Sequence, residues 1–143
     1  MHAHAPRETL AQGQAPTPPT DTPAAPQPKP FKLHRRFDRT GRLLGDPGME
    51  RLARSHVVVF GQGGVGSFVT EGLVRSGVGR ITLVDFDDVC VTNTNRQLHA
   101  TVRNVNKNKA ELMAQRCREI HPDVQVEAVK EFYRAENAEE LLP

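Results

Sequence analysis

An α/β fold on a Rossmann-like parallel sheet is what this 143-residue sequence predicts, and three stretches predict it. A β-branched run, His56 to Phe60, breaks into glycines at Gly61, Gly63, Gly64 and Gly66 and continues at helical spacing. A second apolar run, Arg80 to Asp85, ends in an acid about twenty residues beyond the glycines. A third, Val124 to Val129, alternates apolar and polar residues after another helix-patterned segment. Strand, helix and strand joined by connections of this length form right-handed βαβ units.

Eight of the 11 prolines precede Phe31, in a stretch with almost no large apolar residue. Such a segment cannot offset its ordering entropy by burial, so residues 1–33 read as a disordered Pro/Ala-rich leader. Lys32 to Leu44 carries five Lys/Arg against one Asp and reads as a basic arm rather than a core element. Asp46 followed by Pro47 is a helix start, an N-cap with proline at the first helical position, and the helix runs to about Arg54 with Met49, Leu52 and Ala53 on one face.

The continuous apolar run His56–Phe60 suits a central parallel strand covered on both faces. In the next helix Val65, Phe68, Val69, Leu73 and Val74 recur at helical spacing, and Gly77 and Gly79 stop it. Residues 86–103 are polar and read as loop with one helical turn. Asn104 or Asn106 caps a helix to about Ile120, with Ala110, Met113, Ala114, Cys117 and Ile120 on its buried side, and His121-Pro122-Asp123 ends it. Residues 136–142 read as the first turns of a further helix. The sequence stops there, so the expectation is the N-terminal half of a doubly wound sheet.

Net charge is +2, too slight to announce nucleic acid. No apolar run approaches the ~18 residues of a membrane span, and the leader lacks the apolar centre of a secretory signal, so the expected location is the cytoplasm. Cys90 and Cys117 have no zinc-like spacing and read as reduced thiols, Cys90 in a packing role. His99 reads as structural or exposed.

Gly61, Gly63 and Gly66 fit G-x-G-x-x-G, in which the first allows the turn, the second lets backbone approach a phosphate and the third lets helix pack on strand. Amide N–H groups at the helix start then form an anion site. Asp85 is positioned to bond ribose hydroxyls, which suits NAD as well as ATP. Arg96 and Lys109 favour ATP, because nucleotidyl transfer spreads negative charge onto the departing pyrophosphate and hydride transfer does not.

The double glycine Gly61-x-Gly63-Gly64-x-Gly66, the Asp85-x-Asp87 pair, the Asn93-x-x-Arg96-Gln97 signature and Lys109 together resemble the MoeB/ThiF adenylyltransferase superfamily, which includes ubiquitin-activating enzymes. Within it, the wording from Asp87 to Gln97 and the Arg36-Phe37 arm are most similar to the tRNA threonylcarbamoyladenosine dehydratases. The resemblance implies a ThiF-like nucleotide-binding domain over residues 34–143. It implies ATP and Mg2+ as cofactors. Gly61, Gly63, Gly64 and Gly66 would lie at the phosphates and Asp85 at the ribose, with Asp87 and Asn93 in the surrounding shell and Arg96 and Lys109 as the catalytic cations.

The implied reaction is adenylation of the threonyl carboxylate of threonylcarbamoyladenosine in tRNA, followed by cyclising dehydration. The implied partners are tRNA, a second copy of the chain in a homodimer, and a sulfur-transfer protein. Alternatives are a non-catalytic nucleotide-binding module and an adenylyltransferase acting on the C-terminus of a small sulfur-carrier protein. Members of the superfamily continue with further strands, including an acid that holds the metal, so the catalytic set within these 143 residues is expected to be incomplete.

Overall fold

A computed structural model describes residues 31–142. The expected leader falls outside the described residues except for its last three, and of these Phe31 and Leu33 are half-buried.

The basic arm is more ordered than expected. A 3₁₀ turn, Arg35–Phe37, leads into helix α1, Asp38–Arg54, which is broken at Gly45 (φ 67°). The second half begins at Asp46-Pro47 as the sequence predicts, but the first half turns the arm into helix. What fixes it is packing. Phe37 is buried and meets the His121 ring edge-on at 5.0 Å between centroids. The Arg36 guanidinium donates to the Ile120 carbonyl (3.3 Å) and lies 3.0 Å from His121 Nδ1. A cation at the frayed end of a helix satisfies carbonyls that have no partner within the helix.

Three strands follow, β1 (His56–Phe60), β2 (Arg80–Val84) and β3 (Gln125–Val129), in the order β1-β2-β3 and all parallel. Val57, Ile81 and Val126 lie in register, as do Val59, Leu83 and Ala128, so one sheet face is apolar across all three strands. Helices α2 (Gly64–Ser76) and α3 (Lys109–Ile120) make the two crossovers. Right-handed crossovers advancing in one direction put both helices on the same face. Val74 of α2 and Ala110, Met113 and Cys117 of α3 close the core on Ile81 and Leu83. Full burial of each large aliphatic side chain contributes about 1.5–3 kcal/mol.

Among the described residues β1 therefore stands at the sheet edge rather than at its centre, pairing with β2 alone, and is not covered equally on its two faces. The second face carries His56 and Thr82, whose Nε2 and Oγ1 lie 2.9 Å apart, and Glu127. Residues Glu140 to Leu142, at the end of the short helix α4 (Ala138–Leu141), share a cleft with that face. The segment leaving β3 thus turns back across the sheet, and Tyr133 reaches Phe60 at the end of β1 (4.7 Å).

α2 also presents a different face from the one its apolar spacing suggests. Val65, Phe68 and Val69 are exposed, whereas Ser67, Thr70 and Val74 are buried. Small polar residues are needed on the inner side because a loop passes close to it. Ser67 Oγ accepts from the Leu98 N–H (3.3 Å), and Thr70 Oγ1 donates to Gln62 Oε1 (2.9 Å).

α3 is capped by Asn108 rather than Asn104 or Asn106. The Asn108 side chain accepts from the Glu111 N–H (3.0 Å), while Asn106 adopts a positive φ of 67° in the preceding turn. An isolated antiparallel bridge between Asp88 and Asn108 fixes the choice, because it ties the helix start to the strand end that carries the acids.

Candidate functional site

The bends that follow β1 and β2 are locked to each other. The Gly61 N–H donates to the Val84 carbonyl (2.7 Å), and the Gln62 N–H donates to Asp85 Oδ2 (2.5 Å). Asp85 Oδ1 accepts from the Asp87 N–H (2.8 Å), so the carboxylate is held by backbone at both oxygens. Gly61 has φ +80°, a conformation that L side chains rarely adopt. At Gly66 an added Cβ would overlap the Gly61 carbonyl, so glycine there lets the helix start close onto the turn. Gly63 and Gly64 differ: an added Cβ would meet protein only at 3.9 Å and 3.6 Å, and the space above them is open.

That space belongs to a cavity of about 620 Å³. The sequence-predicted residues Gly61, Gly63, Gly64, Asp85, Asp87, Asn93, Arg96 and Lys109 all line it. Gly66 lies behind the turn and does not. Lys109 is buried at the first turn of α3, with Nζ 2.7 Å from Asp87 Oδ2. Asn93 spends its side-chain Oδ1 on the Cys90 N–H (3.0 Å). Arg96 lays its stem against Gly64, while its exposed guanidinium donates to the Thr92 carbonyl (3.1 Å) and Asn95 Oδ1 (3.0 Å) of its own turn. Asp88 faces the other way and pairs with Lys130 (3.0 Å).

Two groups of residues in the cavity wall carry no role from the sequence reading. Of the seven aromatic residues in the chain, four line this one cavity: Phe60, Phe86, Phe132 and Tyr133. Phe86 and Phe132 pack edge to face at 5.0 Å, at the ends of β2 and β3. Their place two residues past β2 and three past β3 was the available signal. The other is Gln97, whose side chain is buried against the glycine turn.

Close by, His99 is 4% exposed and neither ring nitrogen has a partner. Burial, with a smaller push from the Lys109 charge, lowers its pKa to about 4, so the ring is neutral at pH 7. Cys90 is not a packing residue. It is exposed, and the Thr92 hydroxyl donating to its sulfur (3.2 Å) lowers the thiol pKa.

Among the described residues no group of three or more His, Cys, Asp or Glu gathers as a metal cage, and no helix is long and apolar enough to cross a membrane.

Known proteins with this arrangement are close at hand. A protein from Bacillus subtilis named tRNA threonylcarbamoyladenosine dehydratase is 51% identical over 110 residues, which is 77% of this chain and 43% of that protein. The Escherichia coli protein of the same name is 49% identical over 107 residues, 75% of this chain and 40% of its own length. The crystal structure of the E. coli dehydratase, TcdA, in complex with ATP superposes with a TM-score of 0.72 at 50% identity, covering 73% of this chain and 43% of that one. The chain thus spans about two fifths of the length of the curated relatives it matches. The ThiF family model matches residues 37–143, every element from Phe37 onward, and the chain belongs to the ThiF family.

Proposed function

We propose that this chain binds ATP and supplies the nucleotide site of an enzyme that adenylates the threonyl carboxylate of threonylcarbamoyladenosine in tRNA for cyclising dehydration. The single observation that carries the reading is one cavity holding the open glycines 63 and 64, the ribose-side acid Asp85 and the buried cation Lys109. Relatives of this name at 49–51% identity support the substrate.

The order of the strands sets the order of the ligand. Phosphates lie over the turn after β1 and the ribose at Asp85 after β2, so the base falls toward β3, against Phe86 and Phe132. The α2 N-terminus and its dipole neutralise phosphate charge without a side chain. Lys109, with one N–H on Asp87, keeps two for phosphoryl oxygens. Arg96 turns its guanidinium from Thr92 and Asn95 onto the triphosphate. The substrate carboxylate attacks the α-phosphorus, the bond to the bridging oxygen breaks, and pyrophosphate leaves with its growing charge held by the two cations. Ring closure on the activated acyl carbon then breaks its bond to the adenylate oxygen and releases AMP, and needs proximity rather than a protein nucleophile.

Mg2+ is proposed to arrive on the phosphate oxygens of ATP, a binding mode this ion favours. Of the acids in the cavity wall, Asp85 is held by backbone N–H groups and Asp87 is paired with Lys109, and the described residues do not gather a cage of their own for the ion. The outward Val65, Phe68 and Val69 on α2 support a homodimer, and the proposed location is the cytoplasm.

Equilibrium titration of the chain with ATP and with NAD tests the reading. Tighter binding of ATP is expected, and preference for NAD overturns it.

A further inference from the structure

We propose that residues 31–37 form a pH-sensitive strap: Arg36 fastens it to the end of α3 through the unprotonated Nδ1 of His121, and protonation of that ring releases it.

The chemistry of the donor fixes the roles in this contact. Arg36 Nη1 lies 3.0 Å from His121 Nδ1. A guanidinium carries five N–H donors and no acceptor and keeps its charge in proteins, so the imidazole nitrogen accepts. His121 is therefore neutral when the strap is docked, with its proton on Nε2. Once Nδ1 takes a proton, the contact has two donors and no acceptor, and two cations stand at hydrogen-bond distance.

Little else of polar character holds the strap. The same guanidinium donates to the Ile120 carbonyl (3.3 Å), and among the described residues these two contacts are the only hydrogen bonds from residues 31–44 to the chain beyond α1. The remaining hold is apolar: Phe37 packs against the same His121 ring, in a groove of about 180 Å³ that Met49, Ala53 and Gly77 also line. Charging His121 thus strikes both the polar fastening and the ring under Phe37. A second imidazole takes part within the strap, where His34 Nδ1 accepts from the Arg36 N–H (3.2 Å).

The groups around His121 set the direction of the response. Burial and, after it, the Arg36 charge lower its pKa below the ordinary 6.5; Asp123, from the turn after α3, pulls the other way, and His34 adds a small push downward. Lys32 is a further cation in the groove, whereas α1 and α2 contribute only Met49, Ala53 and Gly77, none of which titrates. A ring whose pKa is lower docked than free supports docking fully above pH 6.5 and less as pH falls toward the docked value. The strap lies at the far end of α3 from Lys109, about 17 Å away by helical rise, so its opening does not depend on the nucleotide reading.

Hydrogen exchange at the Phe37 amide, which donates to the His34 carbonyl (2.9 Å), reads the strap, because a single 3₁₀ turn has no stability of its own once undocked. The 143-residue chain and His121→Asn are compared at pH 7.5 and pH 5, with protection expressed relative to the unfolded chain at the same pH. Asparagine retains a side-chain acceptor that no proton removes, and pH effects from elsewhere in the chain are common to both proteins. One proton between pH 6.5 and pH 5 changes an equilibrium by at most about 30-fold. The loss of Phe37 protection on acidification is expected to be about threefold to 30-fold larger in the wild type than in His121→Asn, with its midpoint where the His121 Cε1 proton titrates.

A ratio under about threefold overturns the proposal, as does a midpoint that departs from the titration of the ring. If His121→Asn does not fold, Arg36→Met takes its place: the unfastened strap is expected to be poorly protected at both pH values, and an acid loss equal to that of the wild type overturns the proposal. If neither variant folds, the two midpoints in the wild type decide, coincidence supporting the strap and separation overturning it.

Discussion

Lys109 and Asp87 are tied twice, once through Nζ and Oδ2 at 2.7 Å and once through the backbone, where Lys109 N donates to the Asp87 carbonyl at 3.1 Å. The double tie aims a buried ammonium from the start of α3 into the cavity between the strand ends. Asp87 is half-exposed, so solvent screens its end of the pair, but Lys109 is 5% exposed and has no other side-chain partner among the described contacts. Asp87→Ala strands that charge, and the expected loss is about 1–2 kcal/mol of stability. Urea unfolding of the two proteins measures it; a change below about 0.3 kcal/mol would mean the ammonium finds water instead.

Gly66 and Gly63 separate folding from binding. Gly66→Ala drives a Cβ into the Gly61 carbonyl and is expected to destabilise by about 3 kcal/mol. Gly63→Ala meets no protein atom closer than 3.9 Å, so stability should hold to about 1 kcal/mol while ATP affinity is expected to fall, because the methyl enters the space proposed for the phosphate. Thermal unfolding with and without ATP distinguishes them, and equal melting shifts for both variants would contradict the open cradle.

Glu71 joins α2 to α3. Its carboxylate accepts from Arg116 through Nε and Nη2 and from Arg75 (2.7 Å). The Arg116 hydrogen bond, against the opposing effect of burial, lowers its pKa below the ordinary 4.5. A depressed carboxylate contributes stability that is complete above the unfolded value and lost as pH falls through the folded one. Acid unfolding of the wild type should therefore steepen below pH 4.5, and Glu71→Gln should lack that component. Superimposable curves for the two proteins below pH 4.5 would remove Glu71 from the acid response.

His99 gives a second, higher window. Its folded pKa of about 4 lies below its ordinary 6.5, so the neutral ring supports folding fully above pH 6.5 and progressively less down to about 4. For one proton the slope approaches about 1.4 kcal/mol per pH unit. His99→Leu should flatten the stability profile between pH 6.5 and 4, read from denaturant midpoints; an unaltered slope would assign the window to another group.

How far the sequence reveals the fold depends on what kind of signal each residue carries. The strands, the glycine turn and Asp85 are legible because β-branched runs, positive φ and a strand-end acid are local demands. The face of α2 is not, since spacing fixes that a helix exists but not which way it rolls; Ser67 and Thr70 face inward because the loop at Leu98 and the Gln62 side chain lie against them. The cap of α3 is ambiguous for a related reason. Asn104, Asn106 and Asn108 are equivalent by residue type, and only the bridge to Asp88 selects the last. Within the cavity, Arg96 and Lys109 are found by charge, whereas Gln97 has no charge to betray it and becomes visible only through burial without a partner.

The tether from Gln62 N to Asp85 Oδ2 joins neighbours across the top of β1 and β2, whose pairing runs His56 with Arg80 through Phe60 with Val84. Sliding β2 by a single residue would turn Leu83 out of the core and carry the acid away from the amide. A chain that folded with slipped strands could therefore look helical and compact by spectroscopy and still lack the proposed ribose contact, which would make nucleotide affinity a gauge of strand alignment.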